Sequence, residues 1–94
     1  MHFVITCIDK PDQPELRQDN RADHLDYLAS HADVVVAAGP LMDDDGEKPV
    51  GSLLIMDFDD AVAARAFADG DPYAKAGVFE SVTILPWKKV YPQD

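Results

Sequence analysis

A histidine and an arginine share one side of a predicted helix near the amino terminus. Residues 15–31 contain no proline or glycine, and within them Arg21 precedes His24 by three positions while Leu28 follows it by four. These spacings place a cation and a titratable imidazole along one helix stripe. An imidazole, with an ordinary pKa of about 6.5, is suited to general acid–base chemistry at neutral pH. The helix pattern alone favours a structural histidine that is hydrogen-bonded to backbone.

Two further polar side chains, Asp71 and Ser52, each have a structural and a functional interpretation. Asp71 precedes Pro72, which leaves its carboxylate either to cap a short turn over 72–76 or to face a pocket, and the spacing favours the cap. Ser52 follows Gly51 at the start of a predicted strand, where a hydroxyl commonly satisfies nearby backbone. Because no Gly-x-Ser-x-Gly elbow surrounds Ser52, a serine hydrolase is excluded.

The remaining motifs argue against resident cofactors. The three histidines have no metal-ligand spacing, and neither a Gly-x-Gly-x-x-Gly sequence nor a phosphate-binding loop is present, so we expect no metal and no nucleotide cofactor. Tyr73, Phe79 and Trp87 are able to line an apolar cleft for an aromatic ligand, although aromatic residues at strand ends more often serve simple packing.

Composition narrows the classes of partner. The 94 residues carry 18 acidic and 8 basic side chains, a net charge of −10 that repels nucleic acid. No apolar run has the length of a membrane span or of a secretion signal, and the single cysteine, Cys7, fits a reducing compartment, so we expect a cytoplasmic protein with one domain over residues 1–94. An anionic small substrate stays open, because a local positive pocket could form from Arg17, Arg21, Arg65, Lys75, Lys88 and Lys89.

The hydrophobic pattern predicts the elements that must position these side chains. Strands are expected at 2–9, 34–38, 51–58 and 78–85, the second ended by Gly39-Pro40 and the fourth by Pro86; helices are expected at 15–31 and from a cap at Asp59 or Asp60 to residue 69. This βαββαβ order is that of a ferredoxin-like α+β sandwich, an antiparallel sheet with helices on one face.

Both faces of the sheet are expected to be apolar. One face is assigned Phe3, Leu53 and Val82, and the other Val4, Leu54 and Thr83. Because helices cover only one face, pairing with a second copy would hide the bare one, and we predict a homodimer.

A set of short motifs, in order through nearly the whole chain, resembles the YciI-like (YCII-related) family. The motifs are Arg21-x-x-His24, Ala38-Gly39-Pro40, Gly51-Ser52, Asp71-Pro72-Tyr73, Ala76-Gly77-Val78 and Pro86-Trp87-Lys88-Lys89-Val90. The resemblance implies a dimeric α+β barrel of ferredoxin-like subunits. It also implies that His24 and Asp71 form an active-site pair, with Arg21, Ser52 and Tyr73 as substrate contacts.

The family resemblance also suggests a reaction class. One branch includes a dehydrochlorinase acting on a chlorinated hydroxyhydroquinone, so the implied activity is cofactor-independent elimination or isomerisation of a small, hydroxylated aromatic compound. Two alternatives stay open: a non-catalytic metabolite-binding or regulatory module, and an oxidative or haem enzyme of the wider barrel superfamily. No distinctive axial-ligand signature accompanies the haem alternative.

Overall fold

Four antiparallel strands form the sheet that carries the candidate site. A computed structural model describes residues 1–93. Strand β1 (His2–Asp9) lies between β3 (Pro49–Asp57) and β4 (Phe79–Trp87), and β2 (Val35–Met42) lies outside β3. The order β2-β3-β1-β4 confirms the predicted ferredoxin-like α+β fold.

Within residues 1–93, four α-helices connect β1 to β2 and β3 to β4. They are α1 (Pro14–Asp19), α2 (Arg21–Ser30), α3 (Ala61–Gly70) and α4 (Pro72–Lys75), and a 3-10 turn over Ala32–Val34 leads into β2. Asp60 caps α3 by accepting the Ala63 N–H at 2.9 Å, which selects between the two predicted caps. Among residues 1–93, no helix has the length and apolar composition needed to cross a membrane.

The core lies on the covered face of the sheet, where Phe3, Ile5 and Met56 are almost fully buried. The assignment of Leu53 to the face of Phe3 is wrong. Ile5 pairs with Leu54, whereas Leu53 pairs with Thr6, so Leu54 belongs to the core face and Leu53 to the open face. Face membership depends on strand register, because a shift of one residue exchanges the two faces.

The predicted helix over 15–31 is two helices that meet at Asn20. The Asn20 side-chain amide donates to the Leu16 carbonyl oxygen at 2.8 Å, and its backbone lies at φ −110° and ψ 8°, outside the regular helix. An asparagine side chain competes for backbone groups in this way and disfavours a helix interior. The junction allows Arg17 on α1 and His24 on α2 both to be buried against the rest of the molecule.

Two strands run further than expected, because each passes through a proline. Strand β2 continues through Gly39 and Pro40 to Met42, and β4 continues through Pro86 to Trp87. Both are edge strands, where a residue without an N–H group leaves no ladder hydrogen bond missing on the solvent side. Extending β2 brings Pro40 opposite Ser52, at the wall of the candidate site.

Candidate functional site

The structure brings His24 and Asp71 into direct contact. The His24 Nδ1 atom lies 2.8 Å from Asp71 Oδ1 and 3.1 Å from Oδ2, although the residues are 47 positions apart in sequence. Both side chains are buried, at 9% and 4% exposure. A carboxylate only accepts, so Nδ1 donates its proton, and in the neutral ring Nε2 is left with the lone pair.

Asp71 also caps α4, so its two sequence interpretations hold together. Its Oδ1 atom accepts the backbone N–H of Tyr73 at 2.9 Å, and its extended backbone suits a residue before proline. The helix therefore holds the carboxylate in the position from which it orients the imidazole. Such an outer partner fixes both the tautomer and the direction of a functional histidine.

Tyr73 packs directly on the imidazole. The two rings stack with centroids 3.9 Å apart and planes 11° apart, and the guanidinium carbon of Arg17 lies 4.7 Å from the Tyr73 centroid. Burial raises the pKa of the Tyr73 phenol above its usual value of 10.0, and the charge of Arg17 opposes that rise. The phenol is therefore protonated at neutral pH and offers an aromatic wall with a polar end.

Arg17 is the centre of a buried polar network beneath the histidine. Its Nε and Nη2 atoms donate to the two oxygens of Asp9 at 2.7 and 2.8 Å, and Nη2 also donates to Ser52 Oγ at 2.9 Å. Burial acts to lower the Arg17 pKa, but the hydrogen bonds and charge of Asp9 outweigh it and raise the pKa above its ordinary value. The guanidinium is charged at every working pH.

Ser52 reaches this network because of its strand position. It pairs with Cys7 on β1 and Pro40 on β2, and its hydroxyl accepts from Arg17, which leaves the hydroxyl proton available to another acceptor. The preceding residue must be small: a Cβ at Gly51 would collide with the carbonyl oxygen of Cys7. The Gly51-Ser52 sequence thus combines close strand packing with a directed hydroxyl.

These groups border a cleft of about 650 Å³ between the helices and the β2–β3 side of the sheet. Four of the five predicted site residues line it directly: Arg21, His24, Ser52 and Tyr73. Asp71 lies behind the imidazole. The apolar lining residues are Pro14, Leu25, Leu28, Ala38, Pro40, Pro49 and Leu54. An apolar cleft with a few convergent polar groups is typical of a small-molecule site.

Three residues of the site were not singled out from the sequence. The sequence predicts a site role for Arg17 only as one of six basic residues, and no motif points to Asp9 or Lys48. The spacing of Arg17, Arg21 and His24 at intervals of four and three was an available signal for one shared face. Within residues 1–93, no group of three or more His, Cys, Asp or Glu side chains is arranged to hold a metal ion.

Sequence comparison identifies the family. Residues 1–88 match the model of the YCII-related domain. The chain belongs to the YCII-related family. A relative of this YCII-related chain, Protein YciI of Escherichia coli O6:H1, is 40% identical over 98 residues, covering 97% of this chain and 100% of the relative.

This YCII-related domain resembles solved structures at both high and low levels of similarity. At 32% identity and a TM-score of 0.89, the 5-chloro-2-hydroxyhydroquinone dehydrochlorinase (TftG) from Burkholderia phenoliruptrix AC1100, in complex with 2,5-dihydroxybenzoquinone, is matched over 100% of both chains. An antibiotic biosynthesis monooxygenase matches at 13% identity and a TM-score of 0.56, over 96% of this chain and 99% of that one. The second likeness shows the fold alone.

Proposed function

We propose that this chain is a small-molecule enzyme in which His24, oriented by Asp71, performs cofactor-independent acid–base chemistry on a hydroxylated aromatic compound. The observation that carries the proposal is the 2.8 Å contact from His24 Nδ1 to Asp71 at the wall of the cleft. This contact leaves Nε2 as the basic nitrogen, and it places a carboxylate where it stabilises the imidazolium that forms.

The proposed reaction is an elimination or an isomerisation. His24 Nε2 takes the proton of a ring hydroxyl, and the electron pair moves into the ring so that the carbon bearing chlorine takes up a proton. In an elimination, loss of a proton from a second ring hydroxyl then expels chloride with its bonding pair and leaves a hydroxyquinone. The net change is the loss of one proton and one chloride ion, so no external electron acceptor is needed. The Ser52 hydroxyl, held by Arg17, donates to the developing oxyanion.

The structural neighbour supports this reaction class. That protein is a dehydrochlorinase of a chlorinated hydroxyhydroquinone and was solved with 2,5-dihydroxybenzoquinone bound. Its match over the full length of both chains supports a flat, oxygenated ring as the ligand of this cleft. The wall formed by Tyr73 and the apolar side chains of α2 suits such a ring.

The test is chloride release from 5-chloro-2-hydroxyhydroquinone, with loss of substrate followed by ultraviolet absorbance. We expect His24→Ala and Asp71→Asn to lower turnover by about 10²- to 10⁴-fold, the range of general acid–base catalysis. The matched controls are His31→Gln, outside the cleft lining, and Asp60→Asn, which alters a helix cap without a histidine partner. Wild-type turnover in both site variants would refute the role of the pair.

A non-catalytic binding module is the second candidate, and one observation favours it. Asp71 caps α4, so its position has a structural reason that requires no catalysis. This module would retain a ring compound in the cleft and release no product. Binding of 2,5-dihydroxybenzoquinone without chloride release from a panel of chlorinated hydroxyquinols would favour the module over the enzyme.

We further propose that the protein is a cytoplasmic homodimer paired through the open sheet face. That face carries partly exposed apolar side chains, including Val4, Leu53 and Ile55, and Leu85 is 57% exposed. A second copy would remove this surface from water. We expect sedimentation to give the mass of a dimer for wild type and of a monomer for Ile55→Asp; a monomeric wild type would refute the pairing.

A further inference from the structure

The charge of the cleft is opposite to that of the whole chain. The protein carries 18 acidic and 8 basic side chains, yet among residues 1–93 those lining the cleft include three basic side chains and no carboxylate. The three basic residues are Arg17, Arg21 and Lys48. A positively charged cavity within a strongly acidic surface concentrates the electrostatic field on a bound anion. A need for solubility does not explain the positive charge of this cavity.

Three carboxylates that contact cleft-lining residues are engaged in hydrogen bonds within the protein. Asp9 accepts two hydrogen bonds from Arg17, and Asp71 accepts from His24 and from the backbone of Tyr73. In the β2–β3 turn, Asp43 Oδ1 accepts the backbone N–H groups of residues 47 and 48, which lowers the pKa of its carboxyl below 3.8. None of these carboxylates lines the cleft.

Two cations are thereby left for a ligand. Asp9 compensates the charge of Arg17, but Arg21 and Lys48 are exposed and form no ion pair within residues 1–93. Arg21 begins α2, one helical turn before His24, whereas Lys48 lies just before β3. They line the same cleft from the helical side and from the hairpin side.

We propose that the ligand carries an anionic oxygen group, a carboxylate or a phosphate, in addition to the ring hydroxyl that faces His24. Arg21 and Lys48 bind this group at the mouth of the cleft, and charge-assisted hydrogen bonds supply the selectivity. The ring contacts the apolar lining formed by Leu25, Leu28, Pro40 and Leu54. The inference rests on the proposed function in taking this cleft as the ligand site, and it specifies the class of substrate.

The test compares three ring compounds of similar size by titration calorimetry: 4-hydroxybenzoate, 4-hydroxyphenyl phosphate and the neutral 4-hydroxybenzamide. We expect at least one anion to bind at least about tenfold more tightly than the amide, and the preference to shrink as salt is added. The tighter of the two anions identifies the group. Arg21→Gln and Lys48→Gln should each remove most of the preference for the anion over the amide.

Two controls separate a local site from overall charge. Arg65→Gln and Lys75→Gln change the net charge by the same amount outside the cleft lining, and they should keep the preference. Equal binding of the anions and the amide, or an equal loss in the control variants, would overturn the inference. His24→Ala should keep the preference, so loss of turnover with intact anion selectivity tests the catalytic proposal separately.

Discussion

Asp71 Oδ1 lies 2.8 Å from His24 Nδ1 while the same oxygen accepts the backbone N–H of Tyr73 at 2.9 Å. The ring of Tyr73 returns to stack on His24 with centroids 3.9 Å apart. Carboxylate, imidazole and phenol ring therefore form a closed unit in which each member positions the next. The cap of a four-residue helix and the orientation of the histidine are consequently one structural feature.

This unit predicts an unusual tautomer for His24. Donation to Asp71 requires the proton on Nδ1, whereas neutral imidazole side chains in water mostly carry it on Nε2. We expect nitrogen-15 NMR, at a pH where the imidazole is neutral, to report His24 as the Nδ1-protonated form. The Asp71→Ala substitution should shift the population towards the Nε2-protonated form.

His31 is the internal control for that measurement. Its Nδ1 lies 2.8 Å from the carbonyl oxygen of Tyr27, which accepts only, and 3.0 Å from Ser30 Oγ, whose hydroxyl donates to the same carbonyl. We therefore expect His31 also to carry its proton on Nδ1. Its tautomer should be indifferent to Asp71→Ala. A wild-type His24 with the proton on Nε2 would contradict the orientation on which the acid–base proposal depends.

The Arg17–Asp9 pair predicts a large effect on stability. Both side chains are mostly buried, at 9% and 14% exposure, so removing one charge leaves the other without compensation. We expect Asp9→Asn to lower the free energy of unfolding by about 3 kcal/mol in urea denaturation. The exposed Arg65–Asp69 pair gives a matched control, and Asp69→Asn should cost less than about 1 kcal/mol. Similar losses in both variants would show that burial does not determine how much the Arg17–Asp9 pair contributes to the free energy of unfolding.

Local sequence patterns predicted the helices and strands. The features that these patterns did not predict depend on long-range contacts. A helix cap at Asp59 or Asp60 and the turn at Pro72 could be predicted from neighbouring residues, because capping acts within one helical turn. The extension of β2 through Pro40 could not, since it depends on β2 being an edge strand, which is a property of the whole sheet.

Part of the candidate site could also be predicted from the sequence, whereas its contacts depend on the fold. His24 and Asp71 were paired through the motifs of the family, not through their spacing, and only the fold brings them within hydrogen-bond distance. The bond from Arg17 to Asp9 spans the loop between β1 and α1, and its bond to Ser52 spans 35 positions, so no local pattern announces either contact.

Gly51 on β3 and Gly39 on the adjacent strand β2 are expected to respond differently to substitution by alanine. A Cβ on Gly51 would collide with the backbone carbonyl of Cys7, which cannot move without disturbing the β1–β3 ladder, whereas a Cβ on Gly39 would meet nothing within 4 Å. We expect Gly51→Ala to destabilise the fold by roughly 2 kcal/mol and Gly39→Ala to change it little, measured by thermal and urea unfolding. Equal effects would contradict the close approach of β1 and β3 at Ser52.

Cys7 predicts how stability changes at high pH. Burial, followed by the nearby charge of Asp71, raises the pKa of the thiol from 9.0 to about 12, so the folded protein keeps a proton that the unfolded chain releases. This contribution is fully present below pH 9 and is lost as pH rises towards 12. Burial also raises the pKa values of Tyr27 and Tyr73, and these act in the same direction from about pH 10 upwards.

The Cys7 contribution is isolated by comparison with Cys7→Ala, which retains both tyrosines. We expect the free energy of unfolding to fall more steeply in wild type than in Cys7→Ala between about pH 9 and about pH 11, because only wild type carries the buried thiol. Ellman's reagent should label the thiol slowly in the folded protein at about pH 8 and rapidly in denaturant. Parallel stability curves for the two proteins, or fast labelling of the folded one, would contradict a raised pKa of the Cys7 thiol in the native state.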